Sequence, residues 1–300
     1  MNKFKKRGPG MAAVLFLAAG LVSGCGIGNE IKIGAQTYTE TKILAAMYQL
    51  LIEDQTDIRV RTMPDLTSTP VIIRAMSRGE LDMATMYTGE IFNNYFPVEQ
   101  DISDKEGVLQ TAQEGFLEYF NFRWFDPYGF ENTYAFTVRQ AVADEHQLKT
   151  ISDLEPVASE MRLGVDTSWL ERGDDGYRAF TEHYGISFGQ TFPMEIGLVY
   201  EAVANNEVDI VLAYSTDPRL VEFNLATLAD DRQFFPPYDA SPVVRQEILE
   251  EYPELEGIVE LLVGQLDEET MTALNYEVDI NQRSERAVAR EFLRERGLLD

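Results

Sequence analysis

The chain has 300 residues, 45% of them hydrophobic, and carries a formal charge of −26. That length allows one large or two medium-sized domains with a real core. The charge argues against nucleic acid, whose binding rests on Lys and Arg against phosphates, and a single cysteine excludes an intramolecular disulfide.

Lys3, Lys5, Lys6 and Arg7 precede an apolar run from Met11 to Val22, followed by Ser23-Gly24-Cys25. A basic start, a short apolar stretch and small residues describe a secretory signal over residues 1–24, too short for an ordinary membrane span. Val-Ser-Gly-Cys resembles a bacterial lipobox, which implies that Cys25 becomes the lipidated first residue and tethers the protein to the membrane. Removing the four basic residues takes the charge from −26 to −30, which suits either high-salt surroundings or solubility in general. Asn29-Glu30 reads as a tether. Ile31–Gly34 alternates as a first strand, and a helix is expected from Thr41 to Asp54, with Ile43, Leu44, Met47, Leu50 and Leu51 on one face. A second strand follows over Ile58–Met63. Asp65–Thr69 reads as a polar loop capping the next helix, with Pro70 in its first turn. A helix is expected over Lys105–Tyr119. Tyr134, Phe136 and Val138 alternate as a strand after a turn at Pro127–Gly129, the expected first crossing between lobes. Thr150 and Ser152-Asp153 cap a short helix. Trp169–Tyr177 reads as a loop leading into a helix over Tyr177–Tyr184. Phe234-Phe235-Pro236-Pro237-Tyr238-Asp239 reads as the return crossing. From Ser241 onward the pattern is helical, with Pro242 and Pro253 near helix starts.

The chain contains one stretch twice. Residues 80–90, E-L-D-M-A-T-M-Y-T-G-E, align without a gap with residues 207–217, E-V-D-I-V-L-A-Y-S-T-D. Upstream, Val71–Met76 aligns with Leu198–Val203, and Ile31–Thr37 with Met161–Thr167. Each copy reads as a helix, a tight turn at Arg78-Gly79 or Asn205-Asn206, and a buried strand ending at a tyrosine. The expected fold is two similar α/β lobes, each presenting Tyr at the carboxyl end of a strand, where ligands of open α/β sheets bind.

No enzyme hypothesis finds an anchor. His146 and His183 stand in polar contexts without neighbours at metal spacing. No G-x-S-x-G, P-loop or G-x-G-x-x-G occurs. Asp174-Asp175 and Asp230-Asp231 read as solvated loop charges. Tyr87, Tyr134, Tyr214 and Tyr238, in contrast, all fall at strand ends or crossings and could face one cleft. Four electron-rich rings suit a quaternary ammonium, which has positive charge but no N–H. Cation–π attraction is worth about 0.5–2 kcal/mol per ring, so four rings reach several kcal/mol.

At these residues the chain resembles the substrate-binding lipoproteins of bacterial ABC importers for glycine betaine, choline and related compatible solutes. The resemblance covers nearly the whole mature chain. It rests on G-A-Q-T-Y-T-E (34–40), E-L-D-M…Y-T-G, G-F-E-N-T-Y-A (129–135), A-Y-S-T-D (213–217) and F-F-P-P-Y-D-A-S-P-V-V (234–244). It implies a two-lobed periplasmic-binding-protein-like fold of type II. Lobe I would comprise residues 25–133 with 239–300, and lobe II residues 134–238. It further implies a ligand site of Tyr87, Tyr134, Tyr214 and Tyr238, with Arg172 holding a carboxylate, no cofactor or metal, and a membrane permease as partner. Many betaine binders similar to this chain carry a basic residue where Gln36 stands. A neutral amide tilts toward choline and Arg172 toward glycine betaine, so the two stand level. An exported enzyme acting on choline-like compounds and an acidic surface lipoprotein without transport function are the alternative classes.

Overall fold

Alternating β-branched residues and apolar helix faces build two sheets with the same plan. The computed structural model describes Met1 and residues 30–99, 104–173 and 175–300. The signal reading over 1–24, the lipidation reading at Cys25, Asn29 and Asp174 lie outside the described residues. The chain runs β1 (Glu30–Gln36), α1 (Thr39–Gln55), β2 (Arg59–Leu66), α2 (Thr69–Ser77), β3 (Met83–Tyr87), α3 (Lys105–Phe120), β4 (Phe122–Trp124) and β5 (Tyr134–Arg139). It continues through α4 (Gln140–His146), β6 (Arg162–Asp166), α5 (Thr167–Glu171), α6 (Tyr177–Tyr184), β7 (Gln190–Met194), α7 (Ile196–Ala204), β8 (Ile210–Tyr214), α8 (Arg219–Glu222) and β9 (Leu225–Thr227). It closes with β10 (Ala240–Arg245), α9 (Gln246–Glu251), α10 (Glu254–Glu260), α11 (Glu268–Asp279) and α12 (Glu285–Glu295).

Among the described residues, one sheet has the order β2-β1-β3-β10-β4 and the other β7-β6-β8-β5-β9. The correspondence extends to register. Ile33 and Gly34 of β1 pair with Met83 and Ala84 of β3, and Leu163 and Gly164 of β6 pair with Ile210 and Val211 of β8. Both central strands, β3 and β8, meet an antiparallel neighbour, β10 or β5. The packing repeats as well. Ile72, Ile73, Met76, Leu81, Ala84 and Met86 form part of one buried cluster; Val199, Tyr200, Val203, Val208, Val211 and Ala213 form the other. Each position in the second set lies 127 residues beyond its counterpart, from 72 to 199 and from 86 to 213. The turns between helix and strand both use the left-handed region, at Gly79 (φ 68°) and Asn206 (φ 63°).

The aspartate of each copy has one structural task. Asp82 accepts from the Lys32 backbone N–H at 2.9 Å and pairs with Arg245 at 3.1 Å. Asp209 accepts from the Arg162 backbone N–H at 2.9 Å and pairs with the Arg162 guanidinium at 2.8 Å. Each carboxylate thus pins the start of its lobe's first strand beside the central one.

Four local expectations are corrected. The stretch after Ser241 opens with strand β10 rather than helix. Pro242 is tolerated there because its C=O accepts from Phe125 N–H. Its missing N–H would point to that same side, where the ladder with β4 begins only at Val243. The segment read as a loop from Trp169 begins inside the five-residue helix α5, because Trp169 is buried and anchors it. Glu30 belongs to β1 rather than to a tether. Strand β2 extends through Asp65 to Leu66, and Ser68 precedes α2 without a side-chain cap.

Two segments join the sheets, and they run side by side. Glu131 and Asp239 form an antiparallel bridge, and Asn132 N–H donates to the Tyr238 carbonyl at 3.0 Å. Lys105 on α3 pairs with Asp239 at 2.9 Å. No helix among the described residues is long and apolar enough to cross a membrane.

Candidate functional site: a tyrosine-lined cleft

The sheet plan decides which side chains meet. Parallel strands β1, β3, β6 and β8 end at Gln36, Tyr87, Asp166 and Tyr214. Antiparallel strands β5 and β10 begin where the parallel ones end. Tyr134 therefore sits directly opposite Tyr214, and Ala240, just after Tyr238, opposite Tyr87. All these residues except Ala240 border one cleft between the sheets, with two adjoining chambers of about 640 and 620 Å³. Each is large enough for a small solute.

The rings form a continuous chain. Ring centroids are 6.1 Å apart for Tyr87 and Tyr38, 5.5 Å for Tyr38 and Tyr214, 5.6 Å for Tyr214 and Tyr134, and 5.6 Å for Tyr134 and Tyr238. The structure thus brings Tyr87, Tyr134, Tyr214 and Tyr238 together and adds a fifth ring, Tyr38. Tyr38 lies at the N-cap of α1, inside the G-A-Q-T-Y-T-E segment. Its position just past the end of β1 was the available signal. Burial pushes all five phenols well up, so every ring is neutral at physiological pH. Trp169 and Phe235 back Tyr134 at 6.3 and 5.5 Å. The Tyr200 hydroxyl accepts from the Tyr214 backbone N–H at 3.0 Å, so the core itself holds the end of β8. Gly89 matters on the opposite wall: a Cβ there would stand 2.6 Å from the Tyr238 ring. Only glycine lets that ring lie on the turn after β3.

Arg172 stands at the end of the ring chain. Its Nε donates to Asp175 Oδ1 and Oδ2 at 2.9 and 3.0 Å, and its Nη2 donates to Asp175 Oδ2 at 2.6 Å. Nη2 also donates to the Tyr238 hydroxyl at 2.9 Å, and Nη1 reaches Glu90 Oε1 at 3.3 Å. The guanidinium carbon lies 5.7 Å from the Tyr134 ring centre and 5.9 Å from that of Tyr238. Burial works against its charge, but the surrounding phenols and carboxylates outweigh that and hold its pKa well above the ordinary value. Arg172 is therefore no surface loop charge; its side chain is 13% exposed. Asp175, expected as a solvated acid, is instead fully buried, because Arg172 folds back onto it. Asp230 and Asp231 likewise have structural partners, accepting from Phe235 N–H at 2.8 Å and Ser152 N–H at 3.1 Å.

Gln36 borders the larger chamber, and its amide N–H donates to Thr69 Oγ1 at 2.9 Å. Glu90, which the sequence reading did not select, accepts from Asn93 Nδ2 at 3.2 Å and faces Arg172. Burial raises its pKa, and Arg172 opposes that shift. The signal for it was the acid closing each copy of the repeat, Glu90 and Asp217. His146 and His183 are exposed. Among the described residues no cluster of His, Cys, Asp and Glu is arranged to hold a metal ion.

This architecture has known relatives. Residues 29–295 match the substrate-binding domain of ABC-type glycine betaine transport systems. The chain belongs to that family. It is 42% identical over 305 residues to the carnitine transport binding protein OpuCC of Listeria monocytogenes, covering 99% of each chain. It is 34% identical to a glycine-betaine-binding protein of Pseudomonas aeruginosa, covering 97% of this chain and 94% of that one. A crystal structure described as a glycine betaine/carnitine/choline ABC transporter superposes with a TM-score of 0.75 at 38% identity, covering 90% of this chain and all of the other. The fold is accordingly the two-lobed α/β architecture of periplasmic binding proteins, and the family's members are transport binding proteins.

Proposed function

We propose that this chain is the lipid-anchored, extracytoplasmic binding component of an ABC importer and captures a quaternary ammonium solute between its lobes. The observation that carries this is the chain of five neutral tyrosine rings around one cleft. A trimethylammonium group lacks donors, so it gains little from hydrogen bonds and much from ring faces. The lobes are residues 25–133 with 239–300, and 134–238. Tyr38 and Tyr87 come from the first, Tyr134 and Tyr214 from the second, and Tyr238 from the return crossing. The cage is complete only when the lobes close, so the ligand selects the closed state. The closed form then docks on a membrane permease, and Cys25 supplies the anchor. The chain performs no chemistry on its ligand and needs no cofactor or metal.

Charge bearing on the ligand splits the candidates. Arg172 is flanked by Asp175 and Glu90, so the ionised trio sums to one negative charge. Choline, a cation, is attracted to it. Glycine betaine brings a carboxylate as well, and suits the site once Glu90 holds a proton. Carnitine, also a carboxylate-bearing quaternary ammonium, falls with glycine betaine. Relatives named for carnitine and for glycine betaine support the quaternary ammonium class.

The test is equilibrium dialysis of labelled choline against the chain lacking its first 25 residues, and against single Tyr→Ala variants at 38, 87, 134, 214 and 238. Each truncation is expected to weaken binding roughly 2- to 30-fold, from about 0.5–2 kcal/mol per ring. Unchanged affinity in all five variants would overturn the cage.

A further inference from the structure

Beneath the tyrosine chain lies a carboxylate that the ring cage does not itself require. Glu40, on the first turn of α1, is 1% exposed. Its Oε1 accepts from the Tyr87 hydroxyl and from Asn132 Nδ2 at 2.8 Å. Its Oε2 accepts from Thr216 Oγ1 at 2.6 Å. Asn275 of α11 steadies Thr216 in turn, donating to its carbonyl at 3.2 Å. Every partner is a neutral donor. This differs from Glu90 and Asp175, the other buried acids beside the ring chain, which both have Arg172.

A carboxylate buried without a cation is expensive, because fixed dipoles replace only part of its hydration. Such a group persists where something else uses its charge. Here one partner is the hydroxyl of a cage ring. A phenol that donates to a carboxylate gains electron density, and hydrogen-bonded groups in a dry site polarise one another strongly. The ring face of Tyr87 thereby becomes a better seat for a cation. The same oxygens reach Thr216, immediately past β8 of the second sheet, and Asn132 in the first crossing, so the carboxylate ties together the elements that carry Tyr87, Tyr134 and Tyr214.

We propose that Glu40 is a positioning residue and the buried counter-charge of the bound quaternary ammonium, acting through the Tyr87 hydroxyl. It makes the cleft selective for positive charge, over and above shape. The inference rests on the quaternary ammonium reading of the cage.

The experiment compares choline with its uncharged isostere 3,3-dimethylbutan-1-ol, which keeps the shape and the hydroxyl but has carbon in place of nitrogen. Calorimetric titration is performed on the mature chain, E40Q, Y87F and the double variant. Gln at 40 retains an acceptor for Tyr87 and Asn132, while its amide N–H can donate to Thr216 Oγ1. E40Q is expected to weaken choline binding roughly tenfold, the scale of one dry cation–π contact, and to leave the isostere unchanged. Y87F keeps the ring and removes only the donor, so it produces a similar selective loss and tests the same idea should E40Q fold poorly. In the Y87F background, E40Q has little further effect. Equal losses for both ligands, or additive losses in the double variant, would reduce Glu40 to a structural tie. Choline binding by the unmodified chain tests the cage separately: if choline binds and the selectivity ratio does not move, the role of Glu40 alone falls.

Discussion

Replacing Arg172 by Met keeps the length of the side chain and removes its charge. In the structure this strips Asp175 of three charge-assisted contacts at 2.9, 3.0 and 2.6 Å and the Tyr238 hydroxyl of one at 2.9 Å. Asp175 is fully buried, so water cannot take over. Breaking one side of a buried pair costs about 3–5 kcal/mol, because the remaining charge stays uncompensated. With a urea dependence of about 3 kcal/mol per molar, the unfolding midpoint of R172M falls by roughly 1–1.7 M. Adding Asp175→Asn removes the orphaned charge and is expected to recover more than half of the loss, since the Tyr238 hydroxyl, which donates to Asp175 Oδ2, can still donate to the Asn oxygen. The assay is equilibrium urea unfolding followed by tyrosine and tryptophan fluorescence. An R172M stability within about 0.5 kcal/mol of the parent, the range of an ordinary surface substitution, would show that Asp175 does not depend on Arg172. So would a double variant no better than the single one.

Three further outcomes are expected. Tyr38→Ala weakens choline binding as much as Tyr214→Ala, roughly 2- to 30-fold, and calorimetry of the two side by side checks it. Burial raises the carboxyl pKa values of Glu40 and Glu90 above the ordinary 4.5, so the folded chain holds protons that the unfolded chain has released. Their contribution to stability is complete below that ordinary value and is lost as pH rises through the folded values. Urea midpoints of the parent measured upward from pH 4.5 should therefore fall relative to those of E40Q/E90Q, which lacks both groups; a constant difference would contradict the assignment. Finally, Cys25→Ser moves the protein from the membrane fraction to the soluble extracytoplasmic fraction, as cell fractionation and immunoblotting would show.

The repeat was legible because it is written in burial. Residues at 72, 73, 76, 81, 84 and 86 and their counterparts 127 positions later are core positions in both sheets, and core positions tolerate few residue types. The tyrosines at strand ends were legible for the same reason, since β3 and β8 end together. What local pattern could not supply was long-range pairing. Pro242 resembles a helix start until β3 and β4 are placed on either side of it. Tyr38 looks like an ordinary residue of a helix entrance until Tyr214, from the other sheet, comes within 5.5 Å of it. Asp175 reads as a loop acid because the side chain that buries it, Arg172, is only three residues away and could as easily have faced solvent. Glu40 reads as an ordinary acid of a helix entrance until Tyr87, Asn132 and Thr216, from three distant parts of the chain, close on it.

The most direct test of the central claim is calorimetric titration of the mature chain with choline and with glycine betaine at matched salt and neutral pH. Choline is expected to bind with micromolar or tighter affinity, and glycine betaine more weakly, because its carboxylate meets the net negative charge of Arg172, Asp175 and Glu90. Heat from neither ligand would leave five packing tyrosines and no cage, and would contradict the assignment of this cleft to quaternary ammonium solutes.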